Sequence, residues 1–311
     1  MVSDLGGAIF VAGGALSRLL PRWLRYGVAS AGGNVGYRLV GRTRRQALEN
    51  YAGILHLSES SPEVHRVARE ALVGYAKLMA DFVLLPTLTP ERVREMVDWD
   101  GIEHIHKARE LGRGAIVVTP HFGNWDIAAA ATLAVGLPVT AVTEHYGTSD
   151  LNRRVVEARQ RIGMNVVPLG VSAGKAVITA LRRNELVALV CDLPPREGRA
   201  VRVRICGQEA LVPAGPALLA LRSGAPVLPF VCRRLPDDRY RVEVQPPVRF
   251  EPTAGIGARG EKEHDVERLA QAIMDRFDPI LRANPEQWYL FSPMWNQAGE
   301  APVESTLAVA G

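Results

Sequence analysis

The sequence predicts an α/β fold in which a mostly parallel β-sheet is flanked by helices. Short apolar runs rich in β-branched residues recur at 114–119, 139–143 and 186–191. Segments with helical periodicity, such as 126–133 and 150–162, separate these runs. Strands that alternate with helical crossovers build a parallel sheet with helices on both faces. This alternation therefore predicts the fold class.

The same criteria predict the remaining elements. Further strands are expected at 164–169, 201–206, 227–233 and 240–248, and further helices within 45–85 and at 173–183, 215–222 and 263–282. The strands at 227–233 and 240–248 are close enough in sequence to pair as a hairpin, which predicts some antiparallel pairing. The organisation expected is a basic segment over 1–45, a single α/β domain over 46–295 and a mobile tail over 296–311, with a surface loop at 255–260.

The N-terminal 45 residues carry a strong positive charge. They contain seven arginines and a single acid, Asp4, a balance that favours an anionic surface such as a membrane. Nucleic acid is the alternative, but no zinc-finger, basic-zipper or aromatic ribonucleoprotein pattern accompanies the arginines. The apolar run 5–16 is shorter than the about 20 residues that a spanning helix needs.

Apolar side chains from Leu16 to Leu24 recur at helical spacing, with arginines on the other faces of the helix. This pattern predicts an amphipathic helix that docks on the membrane interface or packs on its own domain, and periodicity alone does not separate the two. The three cysteines lie in apolar runs without metal-ligand spacing, which favours reduced thiols and a reducing compartment. We therefore expect a peripheral protein on the cytoplasmic face of the plasma membrane.

Residues 121–126, His-Phe-Gly-Asn-Trp-Asp, carry the strongest signal for chemistry. His121 follows a buried strand, on the side of an α/β sheet where ligands bind. Asn124 is a good N-cap and places Asp126 in the first turn of a helix, from which its carboxylate is expected to reach the imidazole. A substrate hydroxyl could then give its proton to His121 and attack an acyl carbonyl. The alternative is a structural histidine beside a helix-capping aspartate.

This segment resembles the HxxxxD/E signature of the lysophospholipid acyltransferase superfamily. Its Gly-Asn-Trp core is similar to the branch of late lipid A acyltransferases and phosphatidylinositol mannoside acyltransferases. Further blocks resemble that branch in the same order, namely 111–120, 157–163, 191–192, 212–217 with 223–225, and 285–289. The resemblance extends over about residues 15–295, and the set of blocks is far more specific than any one of them.

The resemblance implies an acyltransferase that moves a fatty acyl chain from acyl-CoA or acyl carrier protein to a hydroxyl of a membrane glycolipid or phospholipid. It implies no metal and no cofactor beyond this thioester co-substrate. By position, His121 would be the base, Asp126 its partner and Asp192 a second acidic residue of the active site. The same blocks supply the candidate substrate-binding residues Arg159, Arg161, Asn124, Trp125, Pro213 and Gly215. Each has a structural alternative as a solvated charge, a helix start or a core residue.

One departure concerns the acceptor. Many lipid A enzymes continue after the acid at 192 with a second acid and an aromatic residue, whereas residues 193–197 here are Leu-Pro-Pro-Arg-Glu. Residues 166–169 and 213–217 are closer to the mannoside branch. Within the resemblance, these residues lean away from lipid A and toward an acceptor like a phosphatidylinositol mannoside, and they leave the identity of the acceptor open.

The sequence leaves two other functions open. Residues 170–174 match GxSxG between a strand and a helix, which would make Ser172 the nucleophile of an esterase or thioesterase. That mechanism needs a downstream histidine, and the one histidine after Ser172 is His264, within a highly charged run. A non-catalytic membrane-binding module would keep the N-terminal helix and treat His121 and Asp126 as structural.

Overall fold

The computed structural model of the 311-residue chain describes residues 20–145, 147–195, 198–253 and 259–295. Several features expected from the sequence lie outside these residues. They are the apolar run 5–16 and the start of the amphipathic helix, residues 196–197, most of the loop at 255–260, and the tail 296–311.

Four helices precede the first described strand. They are α1 (Arg22–Leu39), α2 (Gly41–Leu55), α3 (Pro62–Leu84) and α4 (Pro90–Met96). Helix α1 packs closely along α3, because a Cβ built on Gly33 would lie 2.6 Å from the Cα of Val73. Helix α3 starts with Pro62, whose fixed φ suits the first helical position. None of the helices among the described residues is both long and apolar enough to cross a bilayer.

A seven-stranded sheet forms the centre of the fold, in the order β1-β9-β8-β2-β5-β3-β4. Its strands are β1 (Val97–Asp100), β2 (Ala115–Thr119), β3 (Val139–Thr143), β4 (Asn165–Pro168), β5 (Leu186–Val190), β8 (Val227–Arg234) and β9 (Tyr240–Val244). Five of its six pairings are parallel, and β8 with β9 is antiparallel. The predicted mostly parallel sheet and the hairpin within 227–248 are therefore confirmed.

Helices cover both faces of the sheet. The remaining helices are α5 (Ile102–Glu110), α6 (Trp125–Ala134), α7 (Ser149–Arg161), α8 (Ala173–Arg182), α9 (Gly215–Ser223) and α10 (Arg259–Ala283). Alternate side chains of β2 enter two different apolar clusters. Ile116 and Val118 belong to one cluster, and Ala115 and Val117 belong to the other. All five residues of β2 are buried, as a strand covered on both faces requires.

A separate antiparallel hairpin, β6 (Ala200–Ile205) with β7 (Gln208–Pro213), packs against α10. Its two turn residues, Cys206 and Gly207, both have positive φ, as a tight hairpin turn needs. The sequence predicts β6 from its alternating apolar positions but misses β7 and β1. Strand β1 has only four residues, and both missed strands mix charged or polar residues with apolar ones, so neither gives a clear period.

Candidate active site

Strand order brings His121 and Asp192 to the same edge of the sheet. His121 follows β2 by two residues and Asp192 follows β5 by two residues. The two strands are parallel neighbours, with Thr119 opposite Val190. Because the carboxyl ends of parallel strands share one edge, both side chains emerge there together.

The side chains of His121 and Asp192 form a hydrogen-bonded pair. Nδ1 of His121 lies 2.8 Å from Oδ1 of Asp192, and the backbone N–H of His121 donates to Oδ2 at 2.9 Å. Asp192 is fully buried, whereas the His121 side chain keeps 31% of its surface exposed. An ionised carboxylate at Nδ1 selects the tautomer with hydrogen on that nitrogen, so Nε2 keeps its lone pair. The ring is thereby set up as a base at Nε2.

Electrostatics favour the charged state of this pair. Burial lowers the pKa of His121, but the charge and hydrogen bond of Asp192, with a smaller contribution from Glu144, raise that pKa above its ordinary value. Burial raises the pKa of Asp192, yet the charge of His121 and the hydrogen bonds from His121 and Trp288 leave it lowered. The arrangement therefore stabilises an imidazolium beside a carboxylate, the state that proton uptake would create.

The predicted contact between Asp126 and the imidazole is wrong. Asp126 is buried in the first turn of α6, as expected, but its carboxylate accepts from Nε of Arg159 at 2.7 Å and from Nη2 at 3.2 Å. Arg159 lies on α7. Nδ1 of His121 instead bonds Asp192, which follows the neighbouring strand β5. Whether Asp126 takes part in the reaction stays a prediction.

Of the other predicted site residues, Trp125 contacts the imidazole of His121. Its ring packs edge-on against His121, with ring centroids 5.3 Å apart. Arg161 is exposed on α7. Asn124 is 1% exposed, and its side chain caps α6 by accepting from the backbone N–H of Ile127 at 3.1 Å.

Pro213 and Gly215 stand at the end of β7 and the start of α9, and both are partly exposed. The structure thus gathers His121, Trp125 and Asp192, with Asp126 and Arg159 as an adjacent pair. A substrate contact by Arg161, Asn124, Pro213 or Gly215 stays a prediction.

The segment after α10 holds the loop that carries His121. The backbone N–H of Tyr289 donates to the carbonyl of His121 at 2.9 Å, and that of Gly123 donates to the carbonyl of Gln287 at 2.8 Å. Gly123 has φ 60°, and a Cβ there would lie 1.8 Å from the carbonyl oxygen of Cys232, so only glycine fits. Residues 121–124 are called the catalytic loop below.

Trp288 is a contributor to the site that sequence reasoning misses. The sequence alone favours a core residue, and Trp288 is fully buried, but its indole Nε1–H also donates to Oδ2 of Asp192 at 2.6 Å. The signal that could have revealed this role is the match at 285–289, which places an aromatic residue in a block shared with acyltransferases. The indole fixes the carboxylate that fixes the imidazole.

Replacing Trp288 with phenylalanine is expected to lower kcat about tenfold, because a hydrogen bond to a charged group is worth about 1.5–3 kcal/mol. Trp295→Phe is the matched control. Its indole also donates a hydrogen bond nearby, at 3.0 Å to the carbonyl of Asn50, but not to Asp192. Steady-state kinetics and thermal melts of both variants check the prediction. Equal kcat values for the two variants would show that the bond to Asp192 has no role in turnover.

The GxSxG segment does not have the geometry of a hydrolase nucleophile. Ser172 is exposed and has ordinary helical backbone angles, φ −82° and ψ −14°, whereas a nucleophile elbow is a strained strand-to-helix turn. The preceding strand, β4, lies at the edge of the sheet. His264 is exposed on α10. The geometry therefore does not support the esterase interpretation.

Comparison with known proteins decides the family. The model of the bacterial lipid A biosynthesis acyltransferases matches residues 4–297. The chain belongs to this family. A phosphatidylinositol mannoside acyltransferase of Mycolicibacterium smegmatis is 30% identical over 300 residues, which cover 94% of this chain and 91% of the relative.

Two further relatives represent the two acceptor classes. A phosphatidylinositol mannoside acyltransferase of Mycobacterium tuberculosis is 29% identical over 233 residues, covering 72% of this chain and 69% of the relative. A lipid A biosynthesis myristoyltransferase of Escherichia coli is 29% identical over 163 residues, covering 51% and 49%. The resemblance given by the motifs is thus confirmed, and the chain is an O-acyltransferase, which needs an acyl donor and a lipid acceptor. Family membership supports neither the esterase nor the non-catalytic module.

Proposed function

We propose that this acyltransferase moves a fatty acyl chain from a thioester, acyl-CoA or acyl carrier protein, to a hydroxyl of a membrane glycolipid, with His121 as the base. The observation that carries the proposal is the buried Asp192 carboxylate on Nδ1 of a partly exposed His121. A phosphatidylinositol mannoside is the favoured acceptor. Support for it comes from the relatives so named, one of which aligns with 94% of this chain.

The reaction proceeds in two proton-coupled steps. Nε2 of His121 takes the proton of the acceptor hydroxyl while its oxygen bonds to the thioester carbonyl carbon, which gives a tetrahedral oxyanion. Collapse of that intermediate forms the ester and expels the thiolate, which takes the proton back from the imidazolium. Asp192 stabilises the imidazolium in between, the role that the aspartate has in serine proteases.

Arg159, which pairs with Asp126, places a positive charge close to the base. Arg159 is 16% exposed at its side chain and is held by a carboxylate that is 4% exposed. Its charge acts on His121, whose pKa it lowers against the larger opposite effect of Asp192. In this proposal Asp126 orients the guanidinium toward the developing oxyanion, where one preorganised donor is worth about 2.7–4 kcal/mol. Arg161, exposed on the same helix, is a candidate contact for donor phosphates.

Docking on an anionic membrane surface is part of the proposal. Helix α1 exposes apolar side chains, with Trp23 74% and Leu39 77% exposed. Immediately after it, an open cleft of about 410 Å³ is lined by Gly41, Arg42, Arg44, Arg45 and Leu48. Exposed apolar side chains beside arginines suit a lipid interface, with the guanidinium groups toward phosphates. The cytoplasmic leaflet is proposed because its surface carries the anionic lipids.

Replacing Arg42, Arg44 and Arg45 together with glutamine is expected to weaken binding to phosphatidylinositol-containing vesicles about 100-fold, since each charge near the surface contributes about 1 kcal/mol. The control replaces Arg182, Arg183 and Arg222, which are exposed and lie on α8 and α9 or just beyond. It changes the net charge equally and should bind as the wild type does. Vesicle sedimentation that shows equal binding for all three proteins would contradict docking through this cleft.

The proposed reaction is tested with purified protein, radiolabelled palmitoyl-CoA and either a phosphatidylinositol mannoside or a lipid A precursor. We expect label in an acylated mannoside, identified by mass spectrometry, and none with His121→Gln. If only the lipid A precursor gives a labelled product, a phosphatidylinositol mannoside is not the acceptor. Release of labelled fatty acid that is lost in Ser172→Ala would instead favour the esterase.

A further inference from the structure

A buried carboxylate outside the reacting pair joins helix α3 to four other structural elements. Asp81 on α3 is 3% exposed and accepts from the hydroxyl of Tyr26 at 2.6 Å and from Nη2 of Arg234 at 2.7 Å. The hydroxyl of Tyr240 also donates to it, and Nδ2 of Asn124 lies 3.5 Å away. These five residues are called the Asp81 network.

The Asp81 network compensates its buried charge from several directions. The guanidinium of Arg234 neutralises the carboxylate and lies over the rings of Tyr26 and Tyr240, at 4.9 and 4.7 Å from their centroids. Nδ2 of Asn124 also donates to the Tyr240 hydroxyl at 3.0 Å. Hydrogen bonds within a buried polar network strengthen one another, so losing one donor weakens the rest.

Two hydrogen-bonded routes lead from the Asp81 network to the catalytic loop. The first is direct, because Asn124 is the last residue of the loop and its backbone N–H donates to the carbonyl of Cys232 at 2.9 Å. The second passes through Gln287, whose side chain bonds both backbone groups of Arg234, at 2.9 and 3.1 Å. The carbonyl of Gln287 then accepts from the N–H of Gly123. The network thus reaches the loop by way of β8 and the 285–287 turn, independently of Asp192.

We infer that the Asp81 network positions the catalytic loop and couples helix α1 to it, which makes Tyr26 and Asp81 positioning residues for the reaction. The inference rests on the proposed function only for its kinetic consequence. Tyr26 is the member from α1, the helix that also exposes Trp23 and Leu39. The hydroxyl of Tyr26 therefore links the proposed membrane-docking helix to the loop that carries the base.

The same two helices offer a matched control. Tyr37 on α1 shares a hydrogen bond of 2.6 Å with Nδ1 of His65 on α3, the same length as the bond between Tyr26 and Asp81. None of the described hydrogen bonds of Tyr37 or His65 leads to the catalytic loop. Tyr26→Phe and Tyr37→Phe each remove one hydroxyl and one bond between α1 and α3, but only the first loosens the Asp81 network.

Tyr26→Phe is expected to lower kcat about tenfold at unchanged KM, short of the roughly 10²-fold that a displacement of about 1 Å can cost. Hydrogen exchange of the peptide over 119–126 should accelerate, because the amides of Gly123 and Asn124 are protected by the bonds that the network supports. Tyr37→Phe should leave both quantities at wild-type values. If Tyr26→Phe does not fold, Tyr240→Phe is the second variant. It removes the hydroxyl that bonds both Asp81 and Asn124, and it is expected to have the same effects on kcat and exchange.

Unchanged kcat and unchanged loop exchange in Tyr26→Phe would overturn the inference, as would equal effects in Tyr26→Phe and Tyr37→Phe. Exchange is measured without substrate. A failure of the proposed reaction would therefore show as no transfer by the wild type, while loop exchange would still decide whether the network positions the loop.

Discussion

Replacing His121 with glutamine is expected to lower kcat by about 10²–10⁴-fold, the contribution of a positioned general base. The reason is that Nε2 is the nitrogen left with a lone pair when Asp192 holds Nδ1. Glutamine retains a polar amide of similar reach but cannot take up a proton. Stability should change little, because the His121 side chain is 31% exposed and Asp192 keeps its bonds from the backbone N–H at 121 and from Trp288.

Initial rates with radiolabelled palmitoyl-CoA, together with thermal melts, check this prediction. His145→Gln is the control, since His145 is exposed just after β3 and should be replaceable with little loss. A His121→Gln protein that is folded and keeps more than a tenth of the wild-type kcat would exclude His121 as the base.

Asp192→Asn is expected to lower kcat on a similar scale, about 10²–10⁴-fold, and also to shift the pH dependence. The base must be neutral, so activity rises with pH through the pKa of His121. Asp192 raises that pKa in the wild type, so the midpoint should lie above the ordinary value of about 6.5. Without the carboxylate, burial still lowers the pKa, and the midpoint should move to lower pH.

The loss of rate has a separate cause. An asparagine amide can donate to Nδ1 and so favour the tautomer that carries hydrogen on Nε2, which cannot act as a base. A midpoint that stays in place or rises in Asp192→Asn would contradict the assigned role. Asp126→Asn is the comparison, and it should lose less activity because its carboxylate bonds Arg159 and not the imidazole.

The sequence predicts the interior of this fold better than its margins. Strand β2 is buried along its whole length and strands β3 and β5 along part of theirs, so their apolar runs stand out within the sequence. Strand β7 mixes charged and polar residues with apolar ones, although it pairs with its neighbour β6. Strand β1 is short and carries two acids, and its partner β9 comes from a distant part of the chain. Such pairing leaves no local period.

The active site likewise combines a residue that a local motif predicts with one that only the fold brings close. His121 is apparent because its motif is contiguous, whereas the partner of its ring lies 71 residues further along and arrives through the adjacency of β2 and β5. Spacing along the chain favours Asp126, and only the family resemblance indicates Asp192. Asp81 did leave a signal, since it occupies a position on the apolar stripe of α3 beside Leu78 and Phe82. A lone acid on a buried face predicts a compensating network.

The protonation state of the His121 ring is the most direct test of the central claim, and a ¹⁵N NMR titration of the labelled imidazole measures it. The account predicts that the pKa of the ring lies above about 6.5, and that the neutral form present above this pKa carries its hydrogen on Nδ1. It also predicts that Asp192→Asn abolishes both features. A neutral ring with hydrogen on Nε2 in the wild type would contradict it, because that nitrogen could not then accept the proton of an acceptor hydroxyl.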